Sequence, residues 1–324
     1  MPPLLEVRDL YVSYKTYKGI LKVLNGVNLY VNEGEKVGLI GESGCGKTTT
    51  MKAILRILPP NAVNVRGQII YKGSKDIMKM SKRELMKIRR NSISMIFQDP
   101  TAALNPVFKV GEQMMDIIKF SYGRRMTKKE LKEEALRLLR EVKLPDPERV
   151  FDSYPFQLSG GMRQRVVIAM ALASAHELLI ADEPTTNLDV TIQDQILKLI
   201  NEVVVKRKLS VILISHALGA VRSMTDRTYV MYAGDIVEMA DSRNLFENPL
   251  HPYTQGLLSS VPKLTGEGIG AGIKGRVPDY LNPPPGCRFA PRCDFARSEC
   301  RKSKPPWIEV SKNHYVSCWL YARK

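Results

Sequence analysis

The sequence predicts an α/β fold with an inserted helical region and a loop-rich C-terminal segment. Three observations carry this. Four short runs, at residues 37–40, 93–97, 178–181 and 211–214, read as parallel-type strands, and 178–181 lacks polar alternation, as a strand buried on both faces does. Between Gln98 and Leu158 the pattern turns helical. After about residue 262, glycine, proline and cysteine replace helix signals.

At 324 residues the chain is long for one compact unit, so one large domain with an appendage, or two domains, is expected. Its 44% hydrophobic content suffices for a sizeable core. The net charge of +16 suits an anionic partner: nucleic acid, a phosphate ligand or an acidic membrane surface. The basic residues are scattered, which a Lys-rich solvated surface also produces. The opening MPPLLEVRDL has no basic leader before an apolar run, so no secretory signal is expected. No stretch of 18 apolar residues occurs, and the nearest, 166–181, is interrupted by His176 and Glu177. A chain that does not itself span a membrane, in a cytosolic setting with reduced thiols, is therefore expected.

The first strand, 37–40, runs into EKVGLIGESGCGKTTT. Gly41, four residues, then Gly46, Lys47 and Thr48 reproduce a phosphate-binding spacing. Glycines let successive N–H groups turn toward phosphate oxygens, and the following helix adds the positive end of its dipole. Gly41, Ser43, Gly44, Cys45, Gly46, Lys47, Thr48 and Thr49 form the candidate nucleotide cradle. Lys47 supplies charge to the terminal phosphates and the Thr48 hydroxyl can ligate Mg²⁺. The third run, 178–181, leads into ELLIADEPTTNLD. It ends at Asp182, placed to hold Mg²⁺ through water, and Glu183, a carboxylate suited to polarising an attacking water.

Within QLSGGMRQR, Ser159 reads as an N-cap and Gly160 and Gly161 as a backbone nest, a second anion site. LSGGMRQ resembles the signature of the ATP-binding cassette (ABC) ATPases. That resemblance implies a RecA-like P-loop NTPase core with an antiparallel β subdomain and a helical subdomain at about residues 99–172. The ATPase domain would span residues 1–262.

By the same resemblance, Gln98 in MIFQDP is the glutamine that contacts Mg²⁺, with Thr48 and Asp182, and touches the attacking water. His216 in VILISHAL is the switch histidine at the γ-phosphate, although Ala217 replaces the usual Asp. The catalytic set is then Glu183, His216, Gln98 and Lys47. Tyr14 is expected to stack on adenine, with Tyr17 as its rival. Asp189 matches the D-loop aspartate, with Asn187 where a small Ala is usual. Two such cassettes pair head to tail in this family. Ser159, Gly160, Gly161, Gln164 and Asp189 would therefore act on ATP held by a partner cassette.

The insert TKKELKEEALRLLREV carries a capping box, Thr127 with Glu130, and Leu131, Ala135, Leu138 and Val142 at helical spacing. Further on, glycines at 266, 268, 270, 272 and 275 read as a flexible linker. Beyond it lie Cys287, Cys293, Cys300 and Cys318, separated by five, six and seventeen residues. Four thiolates can hold zinc or an iron–sulfur cluster, and no C-x₂-C hook decides between them.

NPLHPYTQGLL and LNPPPGCRFAPRC resemble the C-terminal extension, here 263–324, of the ATPase subunits of oligopeptide and dipeptide importers. This implies a [4Fe–4S] cluster on the four cysteines, with Zn²⁺ as the alternative. It further implies an ATPase that energises import of peptides, or of related solutes such as oligosaccharides. Its partners would be two permease subunits at the cytoplasmic face of the membrane and a second, related cassette. An extracytoplasmic solute-binding protein would serve it indirectly. A soluble ABC ATPase acting on nucleic acid or ribosomes is the alternative. Long coiled coils and a second cassette are missing, so no nucleic-acid partner is expected.

Overall fold

The computed structural model describes residues 2–186, 188–260 and 272–322. The chain divides into two compact units, one of residues 1–32, 36–79 and 216–324, the other of residues 33–35 and 80–215. In chain order the strands begin with β1 (Leu5–Thr16), β2 (Gly19–Val31), β3 (Lys36–Ile40), β4 (Ala62–Tyr71), β5 (Lys75–Asp76) and β6 (Ile93–Ile96). They continue with β7 (Leu178–Asp182), β8 (Ser210–Ile214), β9 (Arg227–Tyr232), β10 (Asp235–Asp241), β11 (Trp307–Ser311) and β12 (His314–Ser317).

The first unit contains the antiparallel β subdomain, in the order β2-β1-β4-β5. Alternation builds it: Leu5, Val7, Leu10 and Val12 of β1 and Leu24, Val27, Leu29 and Val31 of β2 are buried. Register shifts between Val7 and Leu10 and between Val12 and Ser13 bend the ribbon. The same unit carries the order β11-β12-β10-β9-β3, with β9 parallel to β3 from Val37↔Arg227 to Ile40↔Val230. Val37, Leu39 and Ile40 are buried, as is every residue of β9, so β3 beyond Lys36 and β9 are covered on both faces.

The second unit contains the parallel order β8-β7-β6, and all residues of β7 and β8 are buried. Helices Val110–Tyr122, Lys128–Glu141 and Gly160–Ser174 pack together beside it. The expected capping box forms: the Glu130 N–H donates to Thr127 Oγ1 at 3.2 Å, and the Thr127 N–H to Glu130 Oε2 at 2.7 Å. Leu131, Ala135, Leu138 and Val142 are all buried. The interrupted apolar stretch resolves into the end of helix Gly160–Ser174 and β7, with His176 and Glu177 in the connection. Among the described residues, no helix is long and apolar enough to cross a membrane.

The C-terminal segment is more regular than its composition implies. β11 and β12 form a hairpin, and β12 pairs with β10 through Glu238↔Val316 and Met239↔Tyr315. Asn313 supplies the positive φ, 59°, at the turn. A fully buried carboxylate secures the join. Glu238 accepts the N–H groups of Leu250 and His251, at 2.7 and 2.9 Å, and lies 2.7 Å from His314 Nε2. Two short strands amid prolines give little sequence signal, because pairing of β12 to β10 and of β11 to β12, rather than local propensity, holds them. Gly266, Gly268 and Gly270 of the expected linker lie outside the described residues, as do the boundary at 262–263 and Asn187.

Candidate functional site

The phosphate loop leaves β3 at Gly41 and enters helix Lys47–Ile54 through Gly46, its N-cap, at φ 112°. Gly41 sits at φ 153°, and a Cβ there would lie 2.1 Å from the Met231 carbonyl oxygen, so only glycine fits. Lys47 is buried, and its ammonium donates to the carbonyls of Gly41, at 2.8 Å, and Glu42, at 3.1 Å. Its charge is thereby held at the centre of the loop. Burial pushes the neighbouring Cys45 thiol up against the opposing influence of Lys47. Ser43 and Gly44 are exposed, and Thr48 and Thr49 half-buried at the helix start. The Tyr14 hydroxyl donates to Thr49 Oγ1 at 3.3 Å, which puts Tyr14 beside the loop, whereas Tyr17 is 93% exposed.

In the second unit, Asp182 closes β7 and is buried. Glu183 follows at φ 48°, a left-handed conformation that costs a non-glycine residue about 1–3 kcal/mol. Its N–H donates to the Ile214 carbonyl at 2.9 Å, which holds the backbone there. The Glu183 Oε2 accepts from Gln98 Nε2 at 2.7 Å and from Thr186 Oγ1 at 3.2 Å. The expected base and the expected glutamine are therefore in direct contact. Gln98 is otherwise exposed, just past β6.

Ser159 caps helix Gly160–Ser174, accepting the Met162 N–H at 3.3 Å, and is exposed with Gly160 and Gly161 half-buried behind it. A Cβ on Gly161 would stand 3.0 Å from Ile192 Cγ2, so small residues keep this turn close to helix Val190–Arg207. Gln164 lies about one turn into helix Gly160–Ser174. It is 1% exposed and its Nε2 has no hydrogen-bond partner, so it faces inward rather than toward the surface that Ser159 presents. Asp189 is exposed at the N-cap of helix Val190–Arg207. In the first unit, His216 is exposed just ahead of helix Leu218–Met224, whose N-cap is Ala217.

The four C-terminal thiols are unbridged. The Cys287 N–H donates to the Cys300 carbonyl at 2.8 Å, and the Arg297 N–H to Cys300 Sγ at 3.4 Å. Burial pushes Cys287 up to about 12, Cys318 up to about 11 and Cys293 upward, and the nearby Cys300 adds to all three. The backbone bond joins the Cys287 and Cys300 segments. Yet no three His, Cys, Asp or Glu side chains among the described residues are grouped so as to hold a metal ion. The expected ligand shell is not drawn together in this arrangement, in which burial favours neutral thiols over thiolates.

Residues 24–186 match the family model for ABC transporters. The chain belongs to the ABC transporter family. Residues 237–300 of this ABC protein match the C-terminal region of oligopeptide/dipeptide transporters. It is 46% identical to the oligopeptide transport ATP-binding protein OppD of Bacillus subtilis (strain 168), over 98% of this chain and 88% of that one. Identity is also 46% to the dipeptide transport ATP-binding protein DppD of the same organism, over 99% and 95%. The dimeric, post-hydrolysis ATP-binding cassette MJ0796, bound to ADP and Pi, superposes with a TM-score of 0.64 at 29% identity. It covers 74% of this chain and 99% of that one.

Both ends of the Gln98–Glu183 contact were expected from the sequence. Glu42 within the phosphate loop, and Tyr253, Tyr280 and Arg292 that bond to the loop, were not expected from the sequence. Arg292 stands 250 residues from Glu42, a pairing that no local pattern announces.

Proposed function

We propose that this ABC protein is the ATP-hydrolysing subunit of an importer for oligopeptides or dipeptides. The match of residues 237–300 to the oligopeptide/dipeptide C-terminal region carries the substrate class. The Gln98–Glu183 contact supports the hydrolytic assignment. Lys47 would hold the triphosphate, and Thr48, Asp182 and Gln98 are the residues that would hold Mg²⁺. Mg²⁺ supplies neutralisation of charge that develops on the phosphates. Glu183 takes a proton from the attacking water, whose orientation Gln98 helps to set. His216 donates to the γ-phosphate, and Tyr14 stacks on the base.

Ser159, Gly160 and Gly161, with Asp189, cap ATP bound by a second, related cassette, and hydrolysis releases the pair. Two permease subunits at the cytoplasmic face and an extracytoplasmic solute-binding protein complete the assembly. Cys287, Cys293, Cys300 and Cys318 are the ligands proposed for a [4Fe–4S] cluster, with Zn²⁺ as the alternative. Such a group, when bound, would cross-link the C-terminal segment. Iron, labile sulfide and zinc analysis of anaerobically purified protein separates these readings. The test of the function is ATP hydrolysis by the reconstituted complex with its binding protein. Stimulation by oligopeptides is expected, and stimulation by nucleic acid alone refutes the proposal.

A further inference from the structure

The C-terminal segment reaches the phosphate loop, and Arg292 is the point of contact. Its side chain is 4% exposed, and every guanidinium N–H has an acceptor. Nε donates to the Lys274 carbonyl at 2.8 Å. Nη1 donates to Glu42 Oε2 at 2.7 Å and to the Tyr232 hydroxyl at 3.3 Å. Nη2 donates to Glu42 Oε1 at 3.1 Å and to the Ile273 carbonyl at 3.3 Å. The two-pronged contact fixes the orientation of Glu42 as well as its distance.

Two further bonds act on the loop, at Glu42 and Gly44. The Glu42 N–H donates to the Tyr253 hydroxyl at 2.8 Å, and the Tyr280 hydroxyl donates to the Gly44 carbonyl at 2.8 Å. Phe289 seats the segment, its ring 5.1 Å from that of Tyr232 and 5.5 Å from that of Tyr253. The loop needs such support. Gly41, Gly44 and Gly46 all have positive φ, and glycine imposes little conformational preference of its own. A phosphate loop works only while its N–H groups keep their aim.

We propose that Arg292 is a positioning residue for nucleotide. Acting through Glu42, it holds the phosphate loop in its binding form, so the C-terminal segment sets nucleotide affinity together with the loop. This rests on the ATP reading above.

The test is equilibrium binding of a fluorescent ATP analogue with Mg²⁺ to the full chain, alongside thermal unfolding without nucleotide. Arg292→Met and Glu42→Gln are each expected to raise Kd about tenfold, the loss of one charge-assisted contact. The double variant should be no weaker than either single one, because both break the same contact. Arg292→Lys, which keeps charge without the fork, should fall between. Should Arg292→Met fail to fold, Glu42→Gln and Tyr280→Phe carry the test. Tyr280→Phe deletes one hydroxyl and is expected to raise Kd about threefold. Folded variants within about twofold of the parent Kd, or additive effects in the double variant, overturn the proposal. Failure of the parent to bind better than Lys47→Ala overturns the ATP reading instead.

Discussion

Replacing Glu183 with glutamine separates hydrolysis from binding. The carboxylate accepts from Gln98 Nε2 at 2.7 Å and Thr186 Oγ1 at 3.2 Å through one oxygen. Glutamine keeps the shape and one acceptor oxygen but cannot take a proton from water. A hydrogen bond to a charged group contributes about 1.5–3 kcal/mol and a neutral one about 1 kcal/mol, so the folded state loses about 1 kcal/mol. For a domain of this size that lowers Tm by only about 2–4 °C. Losing a general base costs about 10²- to 10⁴-fold in turnover. Phosphate release by the reconstituted complex should fall by that factor, while the Kd for MgATP stays within about threefold. Turnover within about tenfold of the parent would refute the assignment of Glu183 as base.

Gly41→Ala puts a methyl 2.1 Å from the Met231 carbonyl at φ 153°. It should cost about 2 kcal/mol or more and abolish binding of the ATP analogue. Ser159→Ala removes the cap on Met162 N–H, about 1 kcal/mol of stability in urea unfolding, and lowers turnover. Ser159→Asp should restore the stability, since Asp caps as well as Ser, but not the turnover, since its charge repels phosphate. Burial holds His251 at about 4, down from 6.5, with Glu238 partly opposing, while its Nδ1 accepts the Tyr253 N–H at 3.0 Å. The unfolded chain therefore binds the extra proton first. Stability is fully present above pH 6.5 and falls as pH drops toward 4, by on the order of 3 kcal/mol. His251→Asn, which keeps an acceptor for the cap, should flatten that part of the urea-midpoint profile relative to the parent.

Features with local causes were legible in the sequence. β3, β7 and β8 are apolar on both faces because they are buried on both, and Thr127 and Glu130 cap a helix three residues apart. Glycines at 41, 44 and 46 announce the loop because the backbone there demands positive φ. Features made by tertiary pairing were not legible. The left-handed turn at Glu183 has no glycine to mark it, and β12 exists because β10 offers an edge. Gln164 follows an exposed N-cap by five residues, yet the helix turns its side chain into the core. The Arg292–Glu42 contact joins two sequence motifs that each read as complete alone.

Uptake of labelled oligopeptide into proteoliposomes tests the central claim most directly. The vesicles would carry this chain, its permeases, a second cassette and the solute-binding protein. ATP-dependent accumulation is predicted with the parent chain, and none when Glu183→Gln replaces it. Active ATP hydrolysis without uptake of any oligopeptide or dipeptide, or uptake unchanged by Glu183→Gln, would contradict the account.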